Sequence, residues 1–121
     1  MNAGDICVVE INNELPANLP ILADEAKAEG YQHVNRLVAD WTSGALRFEQ
    51  PGEALLAAYV ENQLVGVGGV TIEPRLPNAV RMRRFYVRPL SRRQGIGRLL
   101  AGVLMRRAST TADVVMCFGV V

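Results

Sequence analysis

The chain has 121 residues, half of them hydrophobic, and 13 Lys plus Arg against 12 Asp plus Glu give a formal net charge of +1. Such a length fits one compact domain, expected over residues 1–121, and so even a charge balance selects neither a nucleic acid nor a membrane as partner of the whole molecule. No apolar stretch approaches the roughly 20 residues that span a bilayer, and the N-terminus lacks a basic segment followed by an apolar run, so a soluble cytoplasmic protein is expected.

Taken in chain order, Ile6 to Ile11 is apolar and β-branched and reads as a first strand. Asn18 is placed to cap a helix beginning at Leu19 and Pro20, with Leu19, Leu22 and Ala26 on one face and Gly30 as the stop. Val34, Leu37, Val38 and Trp41 then fall at i, i+3, i+4 and i+7, a second amphipathic helix ending at Gly44. Ala54 to Val60 and Leu64 to Ile72 are apolar runs separated by Glu61, Asn62 and Gln63, which predicts an antiparallel hairpin. After a loop around Pro74 to Asn78, Val80 to Val87 reads as a further strand stopped by Pro89. Its parity is irregular: a β-bulge between Met82 and Phe85 would bring Met82, Phe85 and Val87 to one side. Gly95 to Ala108 follows as a helix with an apolar stripe of Ile96, Leu99, Leu100, Val103 and Leu104, and Val114 to Val121 closes the pattern as a strand. Cys7 and Cys117 sit in apolar runs far apart, so two buried free thiols are expected rather than a disulfide, and no ligand set for a metal stands out. His33 stands alone in the sequence and reads as a surface or capping residue.

Charge is distributed unevenly. Nine of the thirteen basic residues lie between Arg81 and Arg107, and no Asp or Glu interrupts them, so this stretch expects an anion. Within it Arg92, Gly95 and Gly97 stand where a strand feeds a helix N-terminus, which presents unpaired N–H groups and a positive dipole. Gly95 and Gly97 lack a Cβ and let a diphosphate approach the backbone. Two other phosphate loops are excluded by spacing: Leu100 stands where a dinucleotide fingerprint needs glycine, and Val103 follows Gly102 where a Walker loop needs lysine. A purely structural reading, in which Ser91 and Gln94 form a capping box, does not require both glycines.

The hexapeptide Arg92-Arg93-Gln94-Gly95-Ile96-Gly97, preceded by Arg84-Phe85-Tyr86-Val87-Arg88-Pro89, resembles motif A of the GNAT superfamily of N-acetyltransferases, R/Q-x-x-G-x-G/A. The order of elements on both sides also resembles that family over nearly the whole chain. The resemblance implies an α/β (α+β) fold with a mixed, mostly antiparallel central sheet, helices on both faces, and splayed strands around an acetyl-CoA cleft. It implies further that backbone groups of Phe85, Tyr86 and Val87 bond the pantetheine arm and thioester, and that the loop of Arg92, Arg93, Gln94, Gly95, Ile96, Gly97 and Arg98 holds the pyrophosphate. Acetyl transfer to an amine acceptor would be direct, with acetyl-CoA as cosubstrate and no metal.

Catalytic side chains are harder to place. The bulged strand carries Arg81, Arg83 and Arg84 where many relatives have an acid, which leaves Glu73 as the candidate base. In relatives a tyrosine on a later helix is the acid; none of Tyr31, Tyr59 and Tyr86 matches that position, and Tyr86, beside the motif, is carried as a catalytic candidate. The usual final helix and strands of the family are not found in the sequence. A shortened acyl-CoA-binding module without turnover is therefore the alternative to an active enzyme, with nucleic-acid binding a third, weaker reading for want of interleaved aromatics. The apolar C-terminal strand, with both faces hydrophobic, leads to the expectation of a homodimer assembled through it.

Overall fold

The structure, a computed structural model, describes residues 5–110 and 112–116. Five strands form one sheet in sequence order: β1 (Ile6–Glu10), β2 (Ala54–Val60), β3 (Gln63–Ile72), β4 (Ala79–Val87) and β5 (Val114–Met116). Neighbours are antiparallel except β4 and β5, which run parallel with Ala79 opposite Val114. The parallel pair follows from its connection, because a strand that returns in the same direction needs a crossover and α3 (Ile96–Ala108) supplies it. Glu61 and Asn62 turn the β2–β3 hairpin with φ of +51° and +65°, the twist that a two-residue hairpin requires.

Helices cover both faces, as the mixed fold class predicts. α1 (Leu19–Ala28) and α2 (His33–Ser43) pack Leu19, Leu22, Ala26, Val34, Leu37 and Trp41 against Leu55, Val67 and Tyr86 of the sheet. α3 packs Ile96, Leu100 and Leu104 on the opposite face against Val65, Val70, Met82, Phe85 and Val87. Gly44 ends α2 in the left-handed conformation (φ +83°), which glycine adopts without a Cβ penalty.

Two expectations need correction. Asn18 stands at the N-cap position of α1, but its side chain makes no capping hydrogen bond, and the Pro in the first turn sets the helix start instead. Cys7 is exposed rather than buried. β1 is an outer strand with one face covered, so Ile6 and Val8 pack inward while Cys7 and Val9 face outward. The last strand is described as Val114–Met116, and the rest of the expected strand, with Cys117, lies outside the described residues.

The expected bulge is present. Val67 pairs with Tyr86 and Gly69 with Arg83, so Gly68 alone faces the two residues Arg84 and Phe85. Arg84 takes a left-handed φ of +65°, uncommon outside glycine, and the extra residue resets the parity. Met82, Phe85 and Val87 consequently enter one core cluster and Tyr86 the other. A Cβ on Gly68 would stand 2.8 Å from the Phe85 ring, so only glycine leaves that ring its place.

Candidate functional site

The segment after β4 is built to expose backbone. Pro89–Ser91 make one 3-10 turn, Arg92 is extended, Arg93 has φ +67°, and Gly95 has φ +81° as the N-cap of α3. The bond from Leu99 N–H to the Gly95 carbonyl, 2.9 Å, opens the helical ladder. The N–H groups of Ile96, Gly97 and Arg98 precede it and have no acceptor within the helix. No side chain caps this end among the described residues, so the capping box of Ser91 and Gln94 is not formed. A cleft of about 560 Å³ opens in front of it, lined by Val87, Ser91, Arg92, Arg93, Gly95, Ile96, Gly97 and Arg98.

Seven of the ten expected cofactor residues line this cleft; Phe85, Tyr86 and Gln94 do not. For Phe85 and Tyr86 only backbone contact is expected, and the bulge decides which groups are available. Arg88 N–H bonds the Val65 carbonyl at 2.9 Å, so alternation along the strand turns the N–H of Val87 away from β3 and toward the cleft side.

Arg92 does something the motif does not announce. Its guanidinium is bidentate to the carboxylate of Glu29, at 2.9 and 2.7 Å, and its Nε–H donates to the Val87 carbonyl at 3.0 Å. The same carboxylate accepts the Tyr86 hydroxyl at 2.6 Å, and Arg92 lies 5.5 Å over the Tyr86 ring. One turn earlier in α1, Glu25 holds Arg88 through a second bidentate pair at 2.9 and 2.8 Å. Two carboxylates spaced i, i+4 thus grip the two arginines that flank the 3-10 turn. The Arg92 guanidinium, followed by the Tyr86 hydroxyl, holds the Glu29 carboxyl below its usual range. With Arg92 engaged in this way, Arg93 and Arg98 are the exposed arginines at the rim of the cleft.

The two catalytic candidates read from the sequence have geometries that work against them. Tyr86 is fully buried on the α1 side, and burial, then its bond to Glu29, pushes its hydroxyl well above the ordinary tyrosine range. Glu73 is buried with its carboxylate against the guanidinium and backbone N–H of Arg75, and this pairing holds it below the usual carboxylate range. A base needs the opposite shift.

Sequence reasoning passed over His33. At the first position of α2 its Nε2 lies 2.7 Å from the carbonyl oxygen of Phe85, the bulge residue, and its ring stands edge-on between Tyr31 and Tyr86. A carbonyl only accepts, so Nε2 carries the proton and Nδ1 of the neutral ring keeps a lone pair. Burial, together with the charges of Arg84 and Arg36, lowers its pKa, while the bond to Phe85 opposes the shift. The contact joins residues 52 apart, and no local pattern announces it.

Among the described residues no helix is long and apolar enough to cross a membrane, and no group of acidic, His or Cys side chains is arranged to hold a metal ion. Comparison with curated proteins yields no match. Solved structures do match: a protein of Exiguobacterium sp. 255-15, provisionally described as an acetyltransferase, superposes with a TM-score of 0.87 at 28% identity over 95% of this chain and 76% of that one. Arabidopsis thaliana glucosamine-6-phosphate N-acetyltransferase shares the fold at a TM-score of 0.63 and 15% identity, over 97% of this chain and 84% of that one. An aminoglycoside 6'-N-acetyltransferase complexed with coenzyme A shares it at 0.62 and 19%, over 87% of this chain and 56% of that one. The family model of the GNAT acetyltransferases matches residues 15–117, a span that holds both helices of one face, the bulged strand and the exposed helix end. With the sheet order, the bulge at Arg84 and the uncapped glycine turn agreeing with that match, the chain belongs to the acetyltransferase (GNAT) family.

Proposed function

We propose that the protein transfers an acetyl group from acetyl-coenzyme A to a primary amine by direct attack. The observation that carries this reading is the cleft in front of α3, where uncapped N–H groups, Gly95 and Gly97 and the exposed Arg93 and Arg98 face one space. A diphosphate fits such a site because its oxygens accept from the N–H groups and its charge meets the helix dipole and the arginines. The Val87 N–H, turned away from β3, is free of the β3 ladder, and an acetyl oxygen laid along β4 would accept it. As the amine attacks the thioester carbonyl, a C–N bond forms and charge develops on that oxygen, which the N–H stabilises. The C–S bond then breaks, the coenzyme leaves as a thiolate that takes up a proton, and the amine proton passes to a base. His33, neutral and beside the bulge, is the described side chain best suited to that role.

Acetyl-coenzyme A is expected to raise the melting temperature, and Gly97→Glu to abolish the effect by setting a carboxylate against the diphosphate. Unchanged calorimetric affinity in a folded Gly97→Glu protein would overturn the cofactor assignment. Binding without acetylation of any amine in a broad panel selects the acyl-coenzyme A binding module instead.

A homodimer through β5 is part of the same proposal. Among the described residues β5 is an outer strand of the sheet, with Val114 exposed, and pairing with a second copy would cover it.

A further inference from the structure

β4 brings arginines to the α2 side of the bulge. Met82 points into the core under α3, so Arg81 and Arg83 point to the other face, and cross-strand pairing sets Thr71 beside Arg81 and Gly69 beside Arg83. On α2, His33, Arg36 and Asp40 fall at i, i+3 and i+7 and form one stripe above the bulge. His33 touches the Phe85 carbonyl at one end and Asp40 meets the Arg84 guanidinium, at 3.4 Å, at the other. Arg36 lies between them. The acids on this side are few and occupied: Asp40 with Arg84, Glu73 with Arg75, and Glu53 with the backbone N–H groups of Gln50 and Ile72.

Three hydrogen-bonding groups on this face are buried without a partner among the described residues: Thr71 Oγ1, Arg83 Nε and Arg84 Nε. Thr71 is only 3% exposed, and the Arg84 side chain 12%. All three donate, two of them from cations, and buried donors in a folded protein ordinarily have acceptors. Burial and the neighbouring arginines weaken the hold of Arg83 on its proton, as expected for a cation short of counter-charge.

From this arrangement we infer that Thr71, Arg83 and Arg84 form a subsite for an oxyanion, and that the acceptor amine carries a phosphate or carboxylate group. The inference rests on the acetyl-transfer reading, since it assigns the face beside the bulge to the acceptor. A planar guanidinium accommodates two oxygens of such a group, and the threonine hydroxyl supplies a third donor. The anion completes the hydrogen bonds that the fold leaves open, and it fixes the amine in register with the bulge.

The test is calorimetry on protein saturated with coenzyme A, which cannot turn over, using matched pairs at up to millimolar concentration. Phosphoethanolamine is compared with ethanolamine, and glycine with glycinamide. Binding about tenfold tighter for one anionic member is expected, the phosphate and carboxylate arms deciding which group the site takes. Arg83→Gln is expected to reduce the preference to about twofold or less with coenzyme A affinity unchanged, while Arg83→Lys keeps part of it. Removing a half-buried cation that has no carboxylate partner among the described residues is not expected to lower the melting temperature, which checks that Arg83→Gln is folded. If neither anionic probe binds tighter than its neutral partner while coenzyme A binds normally, the subsite is refuted and the cofactor reading stands. A preference that survives Arg83→Gln refutes the assignment to these residues. Failure of coenzyme A to bind removes the cofactor reading and, with it, this inference.

Discussion

At pH 7 His33 offers a neutral imidazole, because its environment favours the uncharged ring and its pKa lies below the usual 6.5. If it takes the amine proton, kcat/KM falls as pH drops through that depressed value, and His33→Gln lowers kcat about 10²-fold while removing this acid limb. Glu73→Gln is expected to turn over near the wild-type rate, since its carboxylate is already held by Arg75; the reverse pattern restores Glu73 as the base. Stability moves in the same direction: the unfolded chain binds the His33 proton first, so folding weakens as pH falls below about 6.5. Tyr86→Phe removes a buried hydroxyl donor, for which about 1 kcal/mol and a melting shift of about 4 °C are expected. The sequence shows Arg92, Gly95 and Gly97 through their spacing. It does not show that Arg92 is spent on Glu29, because that pairing spans 63 residues and depends on how α1 lies across the sheet. The same holds for His33 and Phe85.

Elements were legible wherever a period was long enough to read. The stripes of α1 and α2 follow from apolar spacing, as does that of α3 except for Leu99, which is exposed, and the bulge in β4 follows from a break in alternation between Met82 and Phe85 that only an extra residue repairs. What alternation does not reveal is the other half of the bulge, the glycine opposite it. Gly68→Ala is expected to destabilise by about 1–3 kcal/mol, since a new Cβ overlaps the Phe85 ring and must displace it. Denaturant titration measures this, and an unchanged midpoint would show that the ring moves freely. Along α1 the lowered pKa of Glu29 gives a stability that is full above about pH 4.5 and lost as pH falls through the lower folded value. Glu29→Gln is therefore expected to melt lower than wild type at pH 7, and the gap to narrow on acidification to about pH 3.

For the whole molecule, sheet order and the helices on both faces were within reach of the sequence because the resemblance covers most of the chain. Cys7 was misplaced because an apolar run in an outer strand looks like one in the middle of a sheet. The proposed dimer belongs to this scale: light scattering coupled to size exclusion at micromolar protein is expected to give twice the chain mass, and Val115→Lys to return it to one. A monomer that binds acetyl-coenzyme A would refute the dimer. The double grip of Glu25 and Glu29 on Arg88 and Arg92 has a consequence beyond the cleft. A ligand that holds the turn between those arginines also holds α1, so part of its binding free energy goes into suppressing the local opening of a helix that borders the cleft without lining it. Amide hydrogen exchange in residues 19–28 is then expected to slow when coenzyme A is added, and Glu29→Gln to uncouple that protection from binding.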